Sequence, residues 1–337
     1  MTGILGEERR LGWGGLASGP YAFGMAPLAN LGRVVDQDDA DAALEAAWAS
    51  GIRYFDTAPH YGVGLGEERL GAFLRTKPRD EFVLSTKVGR LLVDGGSVHE
   101  DDQGFAVQTS LVRRLDYTRD GVLRSIDESL ARLGLDSIDV VFVHDPDNED
   151  PEEHYRQSLA GGFPALQELR SQGVISSYGA GMNQTGMLTD FIRNTDLDVV
   201  MIAGRYTLLE QGALDDLLPA ASERNVSVVA AAVFNSGLLA RPRPSADATY
   251  NYAPAPAELI DRVNNIADVC ERHGVSLPEA AVQFAFGHPA VATICVGARS
   301  AEQVVRNASL FDADIPNALW SDLVEAGLLR PDAPVTG

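Results

Sequence analysis

Eight short apolar runs punctuate the chain, and longer segments of helical periodicity separate most of them. The runs are Tyr21–Met25, Arg53–Asp56, Phe82–Lys87, Asp139–His144, Ser176–Ala180, Val199–Ala203, Ser227–Ala232 and Ala292–Val296. The helical segments are Asp38–Ser50, Thr118–Leu133, Pro164–Gln172, Ala213–Arg224, Ala257–His273, Pro278–Gly287 and Ala301–Leu310. Several stop against a glycine (Gly51, Gly134, Gly173, Gly274), the usual residue just past a helix C-terminus. Such alternation marks repeated βα units, and eight strands close a parallel barrel. The expected fold is therefore an α/β chain forming a (β/α)8 TIM barrel. No shift in composition divides residues 1–337, so a single domain is expected.

Three connections are long: Gly89–Arg119, Asp145–Phe163 and Phe234–Pro256 follow the third, fourth and seventh runs. Each leaves the C-terminal end of a strand, the face on which barrel enzymes build their sites. They are expected to form substrate walls or lids.

Composition narrows the partners. The 337 residues are 45% hydrophobic, enough for a large core, and 48 acidic against 27 basic residues leave a net charge of −21. That surface repels phosphate backbones, so neither nucleic acid nor an anionic membrane is an expected partner. No stretch approaches the roughly 20 apolar residues of a membrane span. Met1–Arg10 mixes charges without a long apolar run, so no secretory signal is read there and a cytoplasmic location is expected. Cys270 and Cys295 are too few for a disulfide framework and lack metal-ligand spacing, so no metal is expected. The sequence leaves the oligomeric state open.

The chemistry concentrates in Gly-Ile-Arg-Tyr-Phe-Asp-Thr-Ala-Pro-His-Tyr-Gly, residues 51–62. Asp56 ends a strand here, and Tyr61 lies five residues on, across a turn stiffened by Pro59. Lys87 and His144 end two further strands, so four ionisable groups of different chemistry converge on one rim. Lys87 and Lys77 are the only lysines among the 27 basic residues. An ammonium can lose its proton where a guanidinium effectively cannot. These four groups suit a proton relay. A phenol with its ordinary pKa near 10 is a poor proton carrier, and a nearby ammonium is expected to lower it. Asp56 would orient Lys87, His144 would hydrogen-bond the reacting oxygen, and Tyr61 would exchange the proton. No side chain accepts hydride, so a nicotinamide is required beside them.

The same segment resembles the signature Gly-x-Arg/Asn-x-Phe-Asp-Thr-Ala-x-x-Tyr-Gly of the aldo-keto reductase family, with its following Glu at Glu67. Further matches are Ser85-Thr86-Lys87, Ser129-Leu130-x-Arg132-Leu133, Asp139-x-x-x-x-His144 and Gly297-Ala298-Arg299-Ser300. The resemblance implies the same roles: Tyr61 as acid/base, with Asp56, Lys87 and His144 completing the tetrad. It also implies an NAD or NADP cofactor. Asn183, in Gly179-Ala180-Gly181-Met182-Asn183, falls near the family's Ser-Asn and is the candidate for the carboxamide. The family's sixth-strand Gln falls near Ala203, followed by Gly204-Arg205-Tyr206, which makes Arg205 a candidate. Its stacking aromatic falls near Ala231, with Phe234 as the substitute. Phe234, Asn235, Ser236 and Gly237 after the seventh strand, and Gly297, Arg299, Gln303 and Asn307 after the eighth, correspond to the pyrophosphate and adenosine side. Gln303 stands where NADP-preferring members often carry Arg, so the expectation inclines to NAD.

Gly204-Arg205-Tyr206-Thr207-Leu208-Leu209 and Phe234-Asn235-Ser236-Gly237, with Leu115-Asp116-Tyr117-Thr118 and His144-Asp145-Pro146-Asp147, resemble one branch of that family. It holds D-threo-aldose 1-dehydrogenases (L-fucose dehydrogenases) and pyridoxal 4-dehydrogenases. Both activities oxidise a cyclic hemiacetal to a lactone, so a sugar hemiacetal or a pyridoxal-like small molecule is the implied substrate. For a polyol, His99, Asp101, Asp102, Asp145, Asp147 and Asn148 are candidate wall residues. A general NADPH-dependent aldehyde reductase and a non-catalytic nucleotide-sensing subunit remain as alternatives.

Overall fold

The computed structural model describes residues 9–336 apart from 13, 14, 102, 246 and 252. Its centre is a closed barrel of β1 (Tyr21–Gly24), β2 (Tyr54–Asp56), β3 (Val83–Val88), β4 (Val140–His144), β5 (Ser177–Met182), β6 (Val199–Ala203), β7 (Ser227–Ala231) and β8 (Val291–Val296). Every strand pairs in parallel with its neighbours in sequence, and β8 pairs with β1. All eight expected strands are present, each end within two residues of its expected place.

The surrounding layer contains α1 (Gln37–Ala49), α2 (Leu65–Leu74), α3 (Arg119–Leu133), α4 (Phe163–Ser171), α5 (Thr185–Asn194), α6 (Leu217–Arg224), α7 (Leu277–Ala285) and α8 (Ala301–Ser309). Helices Ala257–Arg272 and Asn317–Glu325 add to it. Local chemistry sets the ends. Thr118 caps α3 by accepting from the Gly121 N–H, and Gly134 closes it at φ 61°. Ser276 and Glu279 form a reciprocal capping box on α7.

Period-2 alternation divides the apolar residues into two cores. Between barrel and helices lie Phe55, Leu84, Val141, Val143, Val200 and Ala230. Inside the barrel lie Ala22, Tyr54, Val83, Val140, Phe142, Val199, Met201, Val229 and Cys295. A short antiparallel hairpin, Arg9–Leu11 with Leu16–Ser18, adds Leu11 to that inner core, and the Gly12 N–H donates to Ser227 Oγ (3.1 Å) at the start of β7. The N-terminal end of the barrel is thereby plugged.

The long connections carry secondary structure of their own. Gly89–Arg119 carries an antiparallel ribbon, Arg90–Glu100 with Gln108–Leu115, whose far end folds back over the barrel mouth. There Gly32 N–H donates to Gly104 O (2.7 Å) and Ala106 N–H to Asn30 O (2.9 Å). Asp145–Phe163 is largely helical, with Pro151–Gln157 followed by a π-helical turn, Ser158–Gly162, that runs into α4. Phe234–Pro256 holds a 3-10 turn and a two-residue hairpin. No helix among the described residues is long and apolar enough to cross a membrane.

Two glycines test the packing. A Cβ on Gly179 would stand 1.5 Å from the Val199 carbonyl oxygen, whereas one on Gly186 in α5 meets nothing within 4 Å. Gly179→Ala should cost at least about 3 kcal/mol. Gly186→Ala should add up to about 1 kcal/mol. Urea-denaturation midpoints of the two variants, moving in opposite directions, check both.

Candidate active site

The top layer of the barrel interior is polar. Tyr54 and Asp56 share one face of β2, Val83, Ser85 and Lys87 one face of β3, and Val140, Phe142 and His144 one face of β4. Apolar members fill the interior below, and Asp56, Lys87 and His144 stand at the C-terminal mouth. Asp56 lies opposite Ser85 in the β2–β3 register. Ser85 Oγ donates to Asp56 Oδ1 (2.7 Å), and Lys87 Nζ donates to Asp56 Oδ2 (2.7 Å) and to Thr57 O (3.0 Å). Both charged side chains are only 2% exposed. Burial pulls the Lys87 pKa down, but Asp56 and Tyr61 outweigh it and hold the ammonium above its ordinary value.

Tyr61 sits on the turn between β2 and α2, with its ring centroid 4.6 Å from Lys87 Nζ. The four expected groups meet here. One expectation is reversed: burial raises the Tyr61 phenol well above its usual range, and the Lys87 ammonium only partly offsets it. Glu67, the acid of the signature, works behind the site. It accepts from Thr86 Oγ1 (2.7 Å) and Arg132 Nε (2.6 Å), tying α2 to β3 and α3.

The His144 ring stands at 89° to the Tyr61 ring, with centroids 5.9 Å apart. Its Nδ1 is buried with no partner among the described residues, and its Nε2 is 3.5 Å from Asp145 Oδ2. Burial, then Arg90 and Lys87, push His144 far below its ordinary pKa, so it is neutral. His60 lies 5.5 Å from it, centroid to centroid. Burial, then Arg90, Arg113 and Lys87, hold His60 neutral too.

Four residues not singled out in the sequence surround Tyr61 and His144: His60, Arg90, Phe105 and Arg113. Arg90 Nη2 donates to Asp145 Oδ2 (2.8 Å), and its Nη1 approaches His60 Nδ1 (3.4 Å). Arg113 donates to His60 O (2.9 Å) and pairs with Asp101. Phe105 packs 5.2 Å from His60 and 6.1 Å from Tyr61. The sequence signal available for Arg90 was its place three residues after Lys87. Arg113 and Phe105 depend on a ribbon fold that the sequence did not announce.

Of the candidate wall residues, Asp145 reaches the tetrad. Asp101 instead orders the ribbon tip, accepting from the Gln103 and Phe105 N–H groups (3.1 Å each). His99 Nδ1 lies 3.1 Å from Ser97 O, and exposed Asn148 donates to Asp145 O (3.3 Å). Asp147 is partly buried and adds a negative charge near Asp145. Asp102 lies outside the described residues. An open cleft of about 490 Å³ on the outer layer, lined by Phe163, Tyr178, Arg193 and Arg224 among others, contains none of the converged groups.

The cofactor candidates lie after β5, β6, β7 and β8. Asn183 follows β5 directly. Arg205 Nη1 is taken up by Gly204 O (3.3 Å) and Glu210 (3.2 Å). After β7, Asn235 (φ 43°), Ser236 (φ 58°) and Gly237 (φ 96°) form a left-handed run beside partly buried Phe234. Asn235 donates to Gly204 O (3.2 Å). After β8, Gly297 packs on Gly24 and Pro27 with no room for a side chain. Arg299 N–H donates to Gln303 Oε1 (2.9 Å), and its Nη2 to Leu31 O (2.8 Å). Asn307 is buried beside Tyr21. Asn235 Oδ1 and Arg299 Nε, one in each loop, are buried without partners among the described residues. A polar ligand laid across both loops fits that pattern.

Residues 20–327 match the Aldo/keto reductase family. The chain is 48% identical over 319 residues to D-threo-aldose 1-dehydrogenase from a Pseudomonas species, covering 94% of this chain and 96% of that one. It is 42% identical over 337 residues to pyridoxal 4-dehydrogenase from Microbacterium luteolum, covering 96% and 98%. At 24% identity it superposes on the holo form of an aldo-keto reductase from Bacillus halodurans with a TM-score of 0.74 over 98% of each chain, which bears on fold alone. The chain belongs to the aldo/keto reductase family and is an NAD(P)-dependent oxidoreductase.

Proposed function

We propose that this oxidoreductase converts a cyclic hemiacetal to a lactone, acting at C1 of an aldose such as L-fucose or D-arabinose. The observation that carries the reading is the Tyr61 ring 4.6 Å from a lysine ammonium that is itself paired with Asp56, beside a neutral His144. Tyr61, as phenolate held by Lys87, takes the anomeric hydroxyl proton while His144 donates a hydrogen bond to the reacting oxygen. Asp56 keeps Lys87 charged and in place. Bound NAD(P)⁺ supplies the acceptor for the hydride leaving that same carbon.

Asn183, Arg205, Phe234, Asn235, Ser236, Gly237, Gly297, Arg299, Gln303 and Asn307 are the residues proposed to hold it. NAD is favoured over NADP because Gln303 is uncharged and Arg299 is engaged by Leu31. The similarity to D-threo-aldose 1-dehydrogenase supports a sugar. The similarity to pyridoxal 4-dehydrogenase, with Phe105 as an aromatic wall beside Tyr61, supports pyridoxal as the second reading.

A panel of aldoses, pyridoxal and aromatic aldehydes, run with both cofactors in both directions, tests this directly. Steady NAD⁺ reduction with an aldose is expected; cofactor binding without turnover on any of them would sink the reading. Tyr61→Phe should retain its unfolding midpoint and cofactor affinity while losing at least about a hundredfold in kcat. Near-normal turnover in that variant removes Tyr61 from its role. Lys87→Arg should be similarly impaired despite keeping its charge, because a planar fork does not fit a compact ammonium site.

The raised Tyr61 pKa sets the pH dependence. Oxidation needs the phenolate, whose fraction grows about tenfold per pH unit below that pKa. The kcat/KM for oxidation should therefore climb between pH 7 and 9, while reduction, which uses the protonated phenol, stays flat. Stopped rates across that range in both directions check the sign.

A further inference from the structure

Beside the tetrad stands an ion pair that the proton chemistry above does not use. Asp145 Oδ2 lies 2.8 Å from Arg90 Nη2 and 3.5 Å from His144 Nε2. We propose that the Arg90–Asp145 pair reads the hydroxyl on the carbon next to the reacting one, and so sets specificity for 2-hydroxy hemiacetals. The inference rests on the hemiacetal reading and deepens it.

His144 marks where the reacting oxygen sits. Two gauche hydroxyls on adjacent carbons place their oxygens about 3 Å apart, close to one hydrogen-bond length. A carboxylate 3.5 Å from His144 Nε2 is therefore within reach of an oxygen on the neighbouring carbon. The pair offers both halves of what a hydroxyl needs: a carboxylate to accept its proton and a guanidinium to donate to its oxygen. The buried Arg90 Nε–H has no hydrogen-bond acceptor among the described residues, so the pair with Asp145 does not saturate the guanidinium. Neither group is sealed away. The Asp145 side chain is 17% exposed and that of Arg90 is 9% exposed.

The pair is also built in place rather than loosely set. Asp145 adopts φ 43°, a left-handed conformation uncommon for a residue with a side chain. Its N–H donates to Gly181 O (3.0 Å), and the Tyr117 hydroxyl donates to His144 O (2.7 Å) and Asp145 O (3.1 Å). The Tyr117 ring in turn fills the space beside Gly89, where a Cβ would lie 2.1 Å from it, and so fixes the backbone entering Arg90. The carboxylate is thus set by backbone and ring contacts rather than by a free side chain.

Charge decides the substrate class. Lys87 pairs with Asp56, Arg90 with Asp145 and Arg113 with Asp101, while His60 and His144 are neutral. Among the described residues, every cation around His144 already has a carboxylate of its own, which leaves none to hold a phosphate or carboxylate. A neutral polyol satisfies the site.

The test compares kcat/KM for D-arabinose and for 2-deoxy-D-ribose, which is D-arabinose without its C2 oxygen. Wild-type enzyme, Asp145→Asn and Arg90→Lys are measured; asparagine is chosen because it tolerates the left-handed backbone. Wild-type enzyme should prefer D-arabinose by at least about a hundredfold, since a site built to bond a hydroxyl rejects the analogue that lacks it. Each variant should reduce that ratio at least tenfold, mainly by losing D-arabinose. If the ratio is unchanged in the variants, the pair does not read C2, whatever the absolute rates. If wild-type enzyme turns over both sugars equally well, the proposal falls without any variant, even one that fails to fold. Failure of the sugar-hemiacetal reading looks different: wild-type enzyme then oxidises neither sugar.

Discussion

The buried ion pair between Lys87 and Asp56 is the constraint around which the mouth of the barrel is arranged. An ammonium this far from water is held only if a carboxylate answers it, and removing either partner leaves a bare charge at a cost of about 3–5 kcal/mol. The carboxylate must in turn have its other oxygen satisfied, which Ser85 does from the same strand as Lys87. That geometry exists because β2 and β3 are in a register that sets Asp56 opposite Ser85. A one-residue slip would turn Lys87 outward and Thr86 inward. Thr86, on the outer face, is bonded to Glu67, which is bonded to Arg132. β3 is thus pinned from both sides, and the barrel cannot change register without breaking both networks.

This explains why so much of the site was legible in the sequence. Asp56, Lys87 and His144 each end an apolar run, so their convergence follows from a parallel barrel with no knowledge of loops. Tyr61 was legible because a short turn links it to β2. The ribbon carrying Arg113 and Phe105 was not, since Gly95, Gly96, Ser97 and Asp101 interrupt the alternation that marks a strand. Helix α2 was missed for a different reason. Gly66 and Gly71 lower its intrinsic propensity, yet both are demanded by packing: a Cβ on Gly66 would press on Thr57 and Tyr61, and one on Gly71 would lie 2.1 Å from the Leu133 carbonyl oxygen. Tertiary contact overrides propensity there. In α5, Thr185, Gly186 and Thr189 had the same weakening effect, although Leu188, Phe191 and Ile192 supply a buried face.

The Tyr61 phenol shows where sequence logic reaches its limit. Proximity of an ammonium was legible, and on its own it acidifies a phenol. Depth of burial was not legible, and it acts in the opposite direction with greater weight. The net sign of a pKa shift depends on both, and only the folded chain supplies the second. The same depth keeps His60 and His144 neutral, with the flanking arginines reinforcing the effect. In the proposed mechanism a neutral imidazole donates a hydrogen bond without competing with Tyr61 for the proton, so burial that hinders ionisation of the phenol would also keep the proton path single.

The division of cations follows from their shapes. Lys87 works beneath an aromatic ring, where a compact charge on a flexible stem fits and a planar fork does not. Arg90 must reach Asp145 with one terminal nitrogen and His60 with the other, which a fork does and an ammonium does not. Because Lys87 and Arg90 each have a carboxylate of their own, changing one pair need not discharge the other. On the proposed reading, proton transfer belongs to the pair inside the barrel and recognition to the pair on its rim. Of the two lysines among 27 basic residues, one stands where the proposed chemistry calls for a charge of that shape.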